Sequence, residues 1–468
     1  MTPNLDPRLL AAIQTGGCVA FVGAGFSAAA GLPQWTDLIR LVADDLPDST
    51  RDPDRALVEA LINEHPSPSS RELEMAAQLL LDALGEDAFR ARLRAALHRD
   101  PLPEAMRLRL KHLQGIPFRA IVTTNFDPLL PGMPPSSDAY RRLLRSRRPA
   151  PWREAIARVA LDPSPPGWLP VDAESITIQL HGRLDVADSL VLTRSQYRRR
   201  LYADPAYLTV LRALLATSTV LFLGYSLTDA YLNELRAELV EAFTGRGYSG
   251  EPLAWAVIEG VSEVARRYYE RHEGLGVVTY HKVAGGRDHS GFDAILKAIY
   301  DQTNPVHRLG TLLSGRRVLW FDPNPANNNT GRDLLRAAAS ECRECAETFR
   351  ERFVEVTTLE EAWARLSGAA PFDLVISHWG HGLCDGHANG EELLRRAARL
   401  RGAGTAVAPV VIFAGGGTHA AVNRRHALGL GAAELVSRWE DLFAVLERVL
   451  APTYPGTVQG ACDEVPRS

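Results

Sequence analysis

The chain has 468 residues, 46% of them hydrophobic and 23% charged, with a formal net charge of −4. That balance is ordinary for a soluble globular protein of two or three domains, and it gives no global case for nucleic acid or a membrane as partner. No apolar run is long enough to span a bilayer and no charged-then-apolar leader starts at Met1; the five scattered cysteines, Cys18, Cys342, Cys345, Cys384 and Cys462, fit a reducing cytoplasm better than a disulfide framework.

Short β-branched runs recur through the first 300 residues. CVAFV (18–22), AIVTT (120–124), ITIQL (176–180), TVLFL (219–223), AWAVI (254–258) and GVVTY (276–280) read as buried strands. Their unbroken apolarity suits a parallel sheet covered on both faces. Helical segments such as LTDAYLNELRAELVEAF (227–243) lie between them. The stretch 131–155, rich in proline and arginine, reads as an insertion or lid, and its arginines from Arg141 to Arg153 as a solvated face or an anion or subunit contact. TNPVHRLGTLLSG (303–315) reads as a linker. A second series comes after it: RVLWF (317–321), FVEVT (353–357), FDLVIS (372–377), APVVIF (408–413) and AAELVS (432–437). Five βα units in a short span predict a small doubly wound domain of flavodoxin-like type. The expected fold class is therefore α/β twice over, with a Rossmann-like parallel-sheet domain over 1–305 and a flavodoxin-like domain over 316–452. The tail from Pro452 reads as loose.

In an open parallel sheet, ligands bind outside the carboxyl ends of the strands. Gly23-Ala24-Gly25-Phe26-Ser27 comes directly after the first strand, and the second ends in Thr124-Asn125-Phe126-Asp127. His181-Gly182 lies just past the third, and Gly224-Tyr225-Ser226 just past the fourth. Glycines permit close backbone approach, and N–H groups at a helix start suit a pyrophosphate, so this set fits a dinucleotide site. Each element also has a plainer reading. The glycines would allow tight strand–helix packing, Asn125 and Asp127 would serve as turn and cap residues, Ser226 with Asp229 would form a variant capping box, and His181 would be a structural histidine.

GAGFSAAAGLPQW, TTNFD, LHG and LGYSLTD occur in the order and approximate spacing of the nucleotide-binding and catalytic motifs of sirtuins, and residues 15–300 resemble that family. VLTRSQYRRRLY (191–202) and the RDH at 287–289 resemble the sirtuin-fold branch found in bacterial anti-phage defence, including NAD-consuming effectors of Thoeris type. Two departures stand out. Cys18 is the sole cysteine before Tyr300, so the four-cysteine zinc module of protein-deacylating sirtuins is missing. Gln34-Trp35-Thr36 replaces their acidic-aromatic-arginine stretch.

The resemblance implies NAD as substrate and no metal in the reaction. It assigns catalysis to Asn125, fixing the ribose and a water, and to His181 as general base. Gly23, Ala24, Gly25 and Ser27 would cradle the pyrophosphate, and Gly224 and Ser226 would contact the adenosine half. Asp127 would orient the Asn125 loop or bond a ribose hydroxyl, and Trp35 would wall off the nicotinamide or pack in the core. A homo-oligomer is expected, because defence effectors of this fold are commonly controlled by assembly. The alternatives are a non-hydrolytic sensor of NAD or ADP-ribose and a zinc-free deacylase.

VLWFDPNPANN (318–328) and PFDLVIS (371–377) resemble response-regulator receiver domains. Asp322 is followed by Pro323, His378 stands at the phosphoacceptor position, and no lysine lies beyond Lys297. Aspartyl phosphorylation at the usual place is therefore lost, and a pseudo-receiver that gates the enzyme through a small ligand or a phage protein is expected. His378, His381, Cys384 and His387 recur at three-residue intervals and look metal-like, although a solvated loop is the plainer reading. Cys342 and Cys345 read as packed or exposed helix residues.

Overall fold

The computed structural model describes residues 3, 5–44, 46, 53–63, 68–145, 176–186, 189–225, 252–281, 290–325, 332, 335, 352–368, 371–380, 390–414 and 420–450. They fall into two compact units, Met1–Asn304 and Pro305–Ser468.

The first unit is built on six strands: β1 (Cys18–Val22), β2 (Ala120–Thr123), β3 (Ile176–Gln179), β4 (Thr219–Leu223), β5 (Ala254–Glu259) and β6 (Leu275–Tyr280). Their order in the sheet is β3-β2-β1-β4-β5-β6, with every pairing parallel. The chain starts in the middle, winds outward to β3, then crosses back to β4 and winds outward the other way. This is the order of a Rossmann-type sheet, whose topological switch point lies between β1 and β4.

The unbroken apolarity of β1 has a direct cause. Side chains alternate between the faces of a strand. Cys18, Ala20 and Val22 enter one core, with Leu221, Leu223 and the helix Ser290–Thr303, while Val19 and Phe21 enter another, with Val220, Phe222 and the helix Pro205–Thr217. Both faces are covered, so neither can be polar.

A third core is helical. The helices Trp35–Ala43, Pro53–Asn63, Ser70–Leu84 and Glu86–Ala96 bury Leu38, Ile39, Val42, Val58, Leu80 and Phe89 together. Leu184, Leu190 and Leu192, from the loop beyond β3, complete it.

The second unit has β7 (Val318–Phe321), β8 (Phe353–Val356), β9 (Leu374–His378), β10 (Val410–Phe413) and β11 (Glu434–Val436) in the order β11-β10-β9-β7-β8, again all parallel. That is the flavodoxin-like order, with its switch point between β7 and β9.

One sequence reading is corrected. Residues 303–315 are not a linker: Pro305–Leu313 is a helix of the second unit. It buries Leu309 and Leu313, and Arg308 pairs with Glu447 at 3.1 Å on the helix Trp439–Leu450. Of the two readings of 131–155, insertion or lid, the described part fits the insertion. Its helix Ser137–Arg145 is amphipathic and drives Ala139, Tyr140 and Leu143 into the second core, while Arg142 pairs with Asp138 on its exposed face. The remainder of that stretch, the segment 227–243 and the tail from Pro452 to Ser468 lie outside the described residues.

Candidate functional site

The four strand ends singled out by sequence belong to β3, β2, β1 and β4, which are four consecutive neighbours in the sheet. Residues scattered over two hundred positions of chain are thereby brought to one edge.

The turn after β1 packs directly on the turn after β4. Gly23 N donates to Leu223 O at 3.0 Å, and Gly25 N donates to Gly224 O at 2.9 Å. Gly224 has φ +62, and a methyl group there would meet Phe26 N at 2.1 Å; one on Gly25 would meet Gly224 O at 2.8 Å. The glycines of GAGFS are required first for this backbone-on-backbone contact. Phe26 N donates to Gly23 O at 3.0 Å. Three amides of the turn are thus engaged within the protein, so the cradle expected of Gly23, Ala24, Gly25 and Ser27 differs from a row of open N–H groups.

Across the sheet, the loop after β2 closes on the same turn. Thr123 Oγ1 donates to Val22 O at 2.9 Å and accepts from Asn125 N at 3.0 Å. Asn125 Nδ2 then reaches Gly23 O at 3.2 Å and Ser27 Oγ at 3.1 Å, and Ser27 Oγ donates to Asp127 Oδ2 at 2.8 Å. Asp127 Oδ1 accepts from Leu129 N at 3.1 Å. Ser27, Asn125 and Asp127 are each at most 5% exposed. Burial pushes the Asp127 carboxyl above its ordinary range, while the bonds from Ser27 and Leu129 pull it back. Asp127 thus ties the Asn125 loop to the turn after β1 through Ser27.

His181 is half-buried just beyond β3. Its ring lies between Phe126, with centroids 6.0 Å apart, and Tyr197, edge-on at 5.8 Å. Phe126 is the residue after Asn125, so the two catalytic candidates are neighbours through this contact. The loop is fixed by Gly182, whose φ of +85 and close approach to Ser189 O admit no side chain. Val191 N also donates to His181 O at 2.9 Å.

The helical core grips the same loop. Arg94 Nη2 donates to Leu184 O at 2.7 Å, Arg194 pairs with the buried Glu74 at 2.9 Å, and Ser195 Oγ donates to Gln78 at 2.7 Å. A capping box between Thr193 and Gln196 starts the helix Arg194–Ala203 that carries Tyr197. The VLTRSQY motif therefore sets the aromatic wall beside His181. Sequence reading singled out the motif but not this role; its capping-box spacing was the available signal. Trp35 opens its helix, half-buried against the helical core. Ser226, Asp229 and the RDH at 287–289 lie outside the described residues.

Residues 119–277 match the model of the SIR2-like domain. The match takes in Asn125, Asp127, His181 and Gly224, whereas the turn Gly23–Ser27 precedes it. Over 239 residues the chain is also 25% identical to the NAD(+) hydrolase ThsA of Enterococcus faecium. That stretch is 50% of this chain and 42% of the relative, so the chain spans less than half of that protein's length. Among the described residues there is no group of three or more His, Cys, Asp or Glu able to hold a metal ion, and no helix long and apolar enough to cross a membrane.

In the second unit, Asp322 is buried at the end of β7 and accepts from Asn324 N at 2.9 Å. His378 ends β9, and its Nδ1 accepts from Gly380 N at 3.2 Å. The two residues stand on either side of the switch point. His381, Cys384, His387, Cys342 and Cys345 lie outside the described residues.

Proposed function

We propose that the chain is an NAD glycohydrolase, cleaving NAD to nicotinamide and ADP-ribose. The observation that carries this reading is the buried network of Ser27, Asn125 and Asp127, closed across the ends of β1 and β2, with His181 just beyond the neighbouring β3. Asn125, Asp127 and His181 lie in the stretch that matches the SIR2-like domain model, and the relative bearing the name NAD(+) hydrolase supports the substrate.

In the reaction, water adds to C1′ of the nicotinamide ribose while the C1′–N1 bond breaks. The bonding pair goes to the pyridinium nitrogen, which leaves as neutral nicotinamide, and the water's proton passes to a base. Positive charge builds on the ribose in the transition state, so fixed dipoles in a site shielded from bulk water are effective. Asn125 has its Nδ2 engaged by Gly23 O and Ser27 Oγ, and its Oδ1 is the polar atom offered to a ribose hydroxyl or the attacking water. His181, held between Phe126 and Tyr197, serves as general base; an imidazole suits that task near neutral pH. Ala24 and Ser27 meet the pyrophosphate, Gly224 and Ser226 the adenosine half, and Trp35 bounds the nicotinamide end.

An enzyme that empties the NAD pool has to stay silent until needed. We infer a role in anti-phage defence, with the second unit as the gate and a homo-oligomer as the active form. A signal acting at Asp322 and His378 must favour the active state over the silent one, since equal affinity shifts nothing. The test is chromatography of nicotinamide and ADP-ribose after NAD is added to the purified chain, with and without extract of phage-infected cells. Light scattering of idle and active protein reads the assembly. NAD bound but recovered intact under both conditions would instead support a sensor.

A further inference from the structure

Behind the turn after β1 lies a fully buried guanidinium that the proposed chemistry does not use. Arg109, on the helix Glu104–Gly115, is 1% exposed. Its Nε and Nη2 fork onto Asp293 Oδ1 and Oδ2 at 2.6 and 3.0 Å, and its Nη1 donates to Phe26 O at 2.7 Å. The rings of Phe26 and Phe292 lie 5.8 and 4.8 Å from the guanidinium carbon. A buried arginine is retained at a cost in desolvation unless every direction is paired, and here two bonds go to Asp293 and the third to one backbone carbonyl.

That carbonyl matters because of the peptide plane it belongs to. Phe26 C=O and Ser27 N share one rigid plane, and Ser27 Oγ is the atom that links Asn125 Nδ2 to Asp127. From the other side, Gly25 N is fixed on Gly224 O. We propose that Arg109, oriented by Asp293, is a positioning residue. By holding the Phe26 carbonyl it sets where Ser27, and through it Asn125, stands. Asp293 lies in the first turn of the helix Ser290–Thr303, where a carboxylate is favoured by the helix dipole. The pair thus ties the last helix of the first unit to the turn that opens the site. The kinetic half of this inference rests on the reaction proposed above; the geometric half does not.

The test uses the full chain with Arg109→Lys and Asp293→Asn. Lysine keeps the charge but lacks the planar fork, and asparagine keeps the shape. Both variants should exchange amide hydrogens faster over residues 23–27 while 254–259 and 70–84 stay as in the wild type. With NAD, kcat should fall by about 10²-fold, as expected for misplacement of a reacting group, and Ser27→Ala added to Arg109→Lys should cost much less than the product of the single losses. Unaltered exchange over 23–27, or a rise of equal size in all three segments, overturns the proposal. So does multiplicative loss in the double variant. If the wild type neither binds nor cleaves NAD, the proposed reaction fails, and the exchange pattern still decides the role of Arg109.

Discussion

The two units present the same kind of sheet edge, and under the proposed function the two edges do different work. In the first, hydrogen bonds between strand ends join residues about a hundred positions apart: Ser27 to Asp127, Asn125 to Gly23, Thr123 to Val22. In the second, the Asp322 and His378 side chains accept from amides two residues further along the same loop, and Asp322 N donates across the strands to Val356 O at 3.1 Å. A network closed across strands is preorganised, because no member can turn without breaking a buried bond. Under the proposed function, the first edge holds the reacting groups and the second receives the signal.

The largest effect expected from this difference is on chemistry. Asn125→Ala and His181→Ala should each lower NAD turnover by about 10²–10⁴-fold, the usual range for loss of a positioned acid–base group. Asp322→Asn and His378→Ala should leave the same products and alter only how turnover responds to infected-cell extract. Initial rates with and without extract check both. If a change at the second edge abolishes cleavage in a folded protein, the two edges do not divide the work in this way.

Smaller, and on stability, is the effect of adding a methyl group. Gly224→Ala combines left-handed strain of about 1–2 kcal/mol with overpacking of about 1–3 kcal/mol against Phe26 N. Gly404, in the second unit, has φ +83 but open space around it, so Gly404→Ala should cost the strain alone, about 1–2 kcal/mol. Urea unfolding of the two variants beside the wild type reads the difference; equal costs would mean that the turn after β1 has room to yield.

Smallest is a pH effect at Asp127. Its carboxyl is raised by burial, so the folded chain binds that proton more tightly than the unfolded chain. The stability it contributes is fully present below about pH 4 and is lost as pH rises through the folded value. Asp127→Asn lacks this dependence. The melting temperature of the variant relative to wild type should therefore climb from about pH 4 upward and then level off, and a decline over that window would contradict the assignment.

Much of this architecture is written locally. Each of the eleven strands among the described residues lies on one of the runs read from sequence, because most are buried on both faces and leave a continuous apolar signature. The candidate site residues stand out for a related reason: they are the small and polar positions just past the ends of such strands. The contacts that join distant segments left no such mark. Nothing near Arg109 announces Asp293, 184 residues away, and nothing in the helices of 35–96 announces that the loop beyond β3 completes their core. The helix Pro305–Leu313 escaped notice because it is short and interrupted by His307, Arg308 and Gly310. It forms through burial of Leu309 and Leu313 and the pairing of Arg308 with Glu447 rather than through intrinsic propensity.

Whether the first sheet edge performs the cleavage is decided most directly by comparing two proteins. Purified wild type and Asn125→Ala, matched in folding by circular dichroism, are incubated with NAD and activating extract, and nicotinamide and ADP-ribose are quantified over time. The expected result is the two products in equal amounts from the wild type and a rate at least about 10²-fold lower from the variant. Equal rates from both proteins would place the chemistry elsewhere.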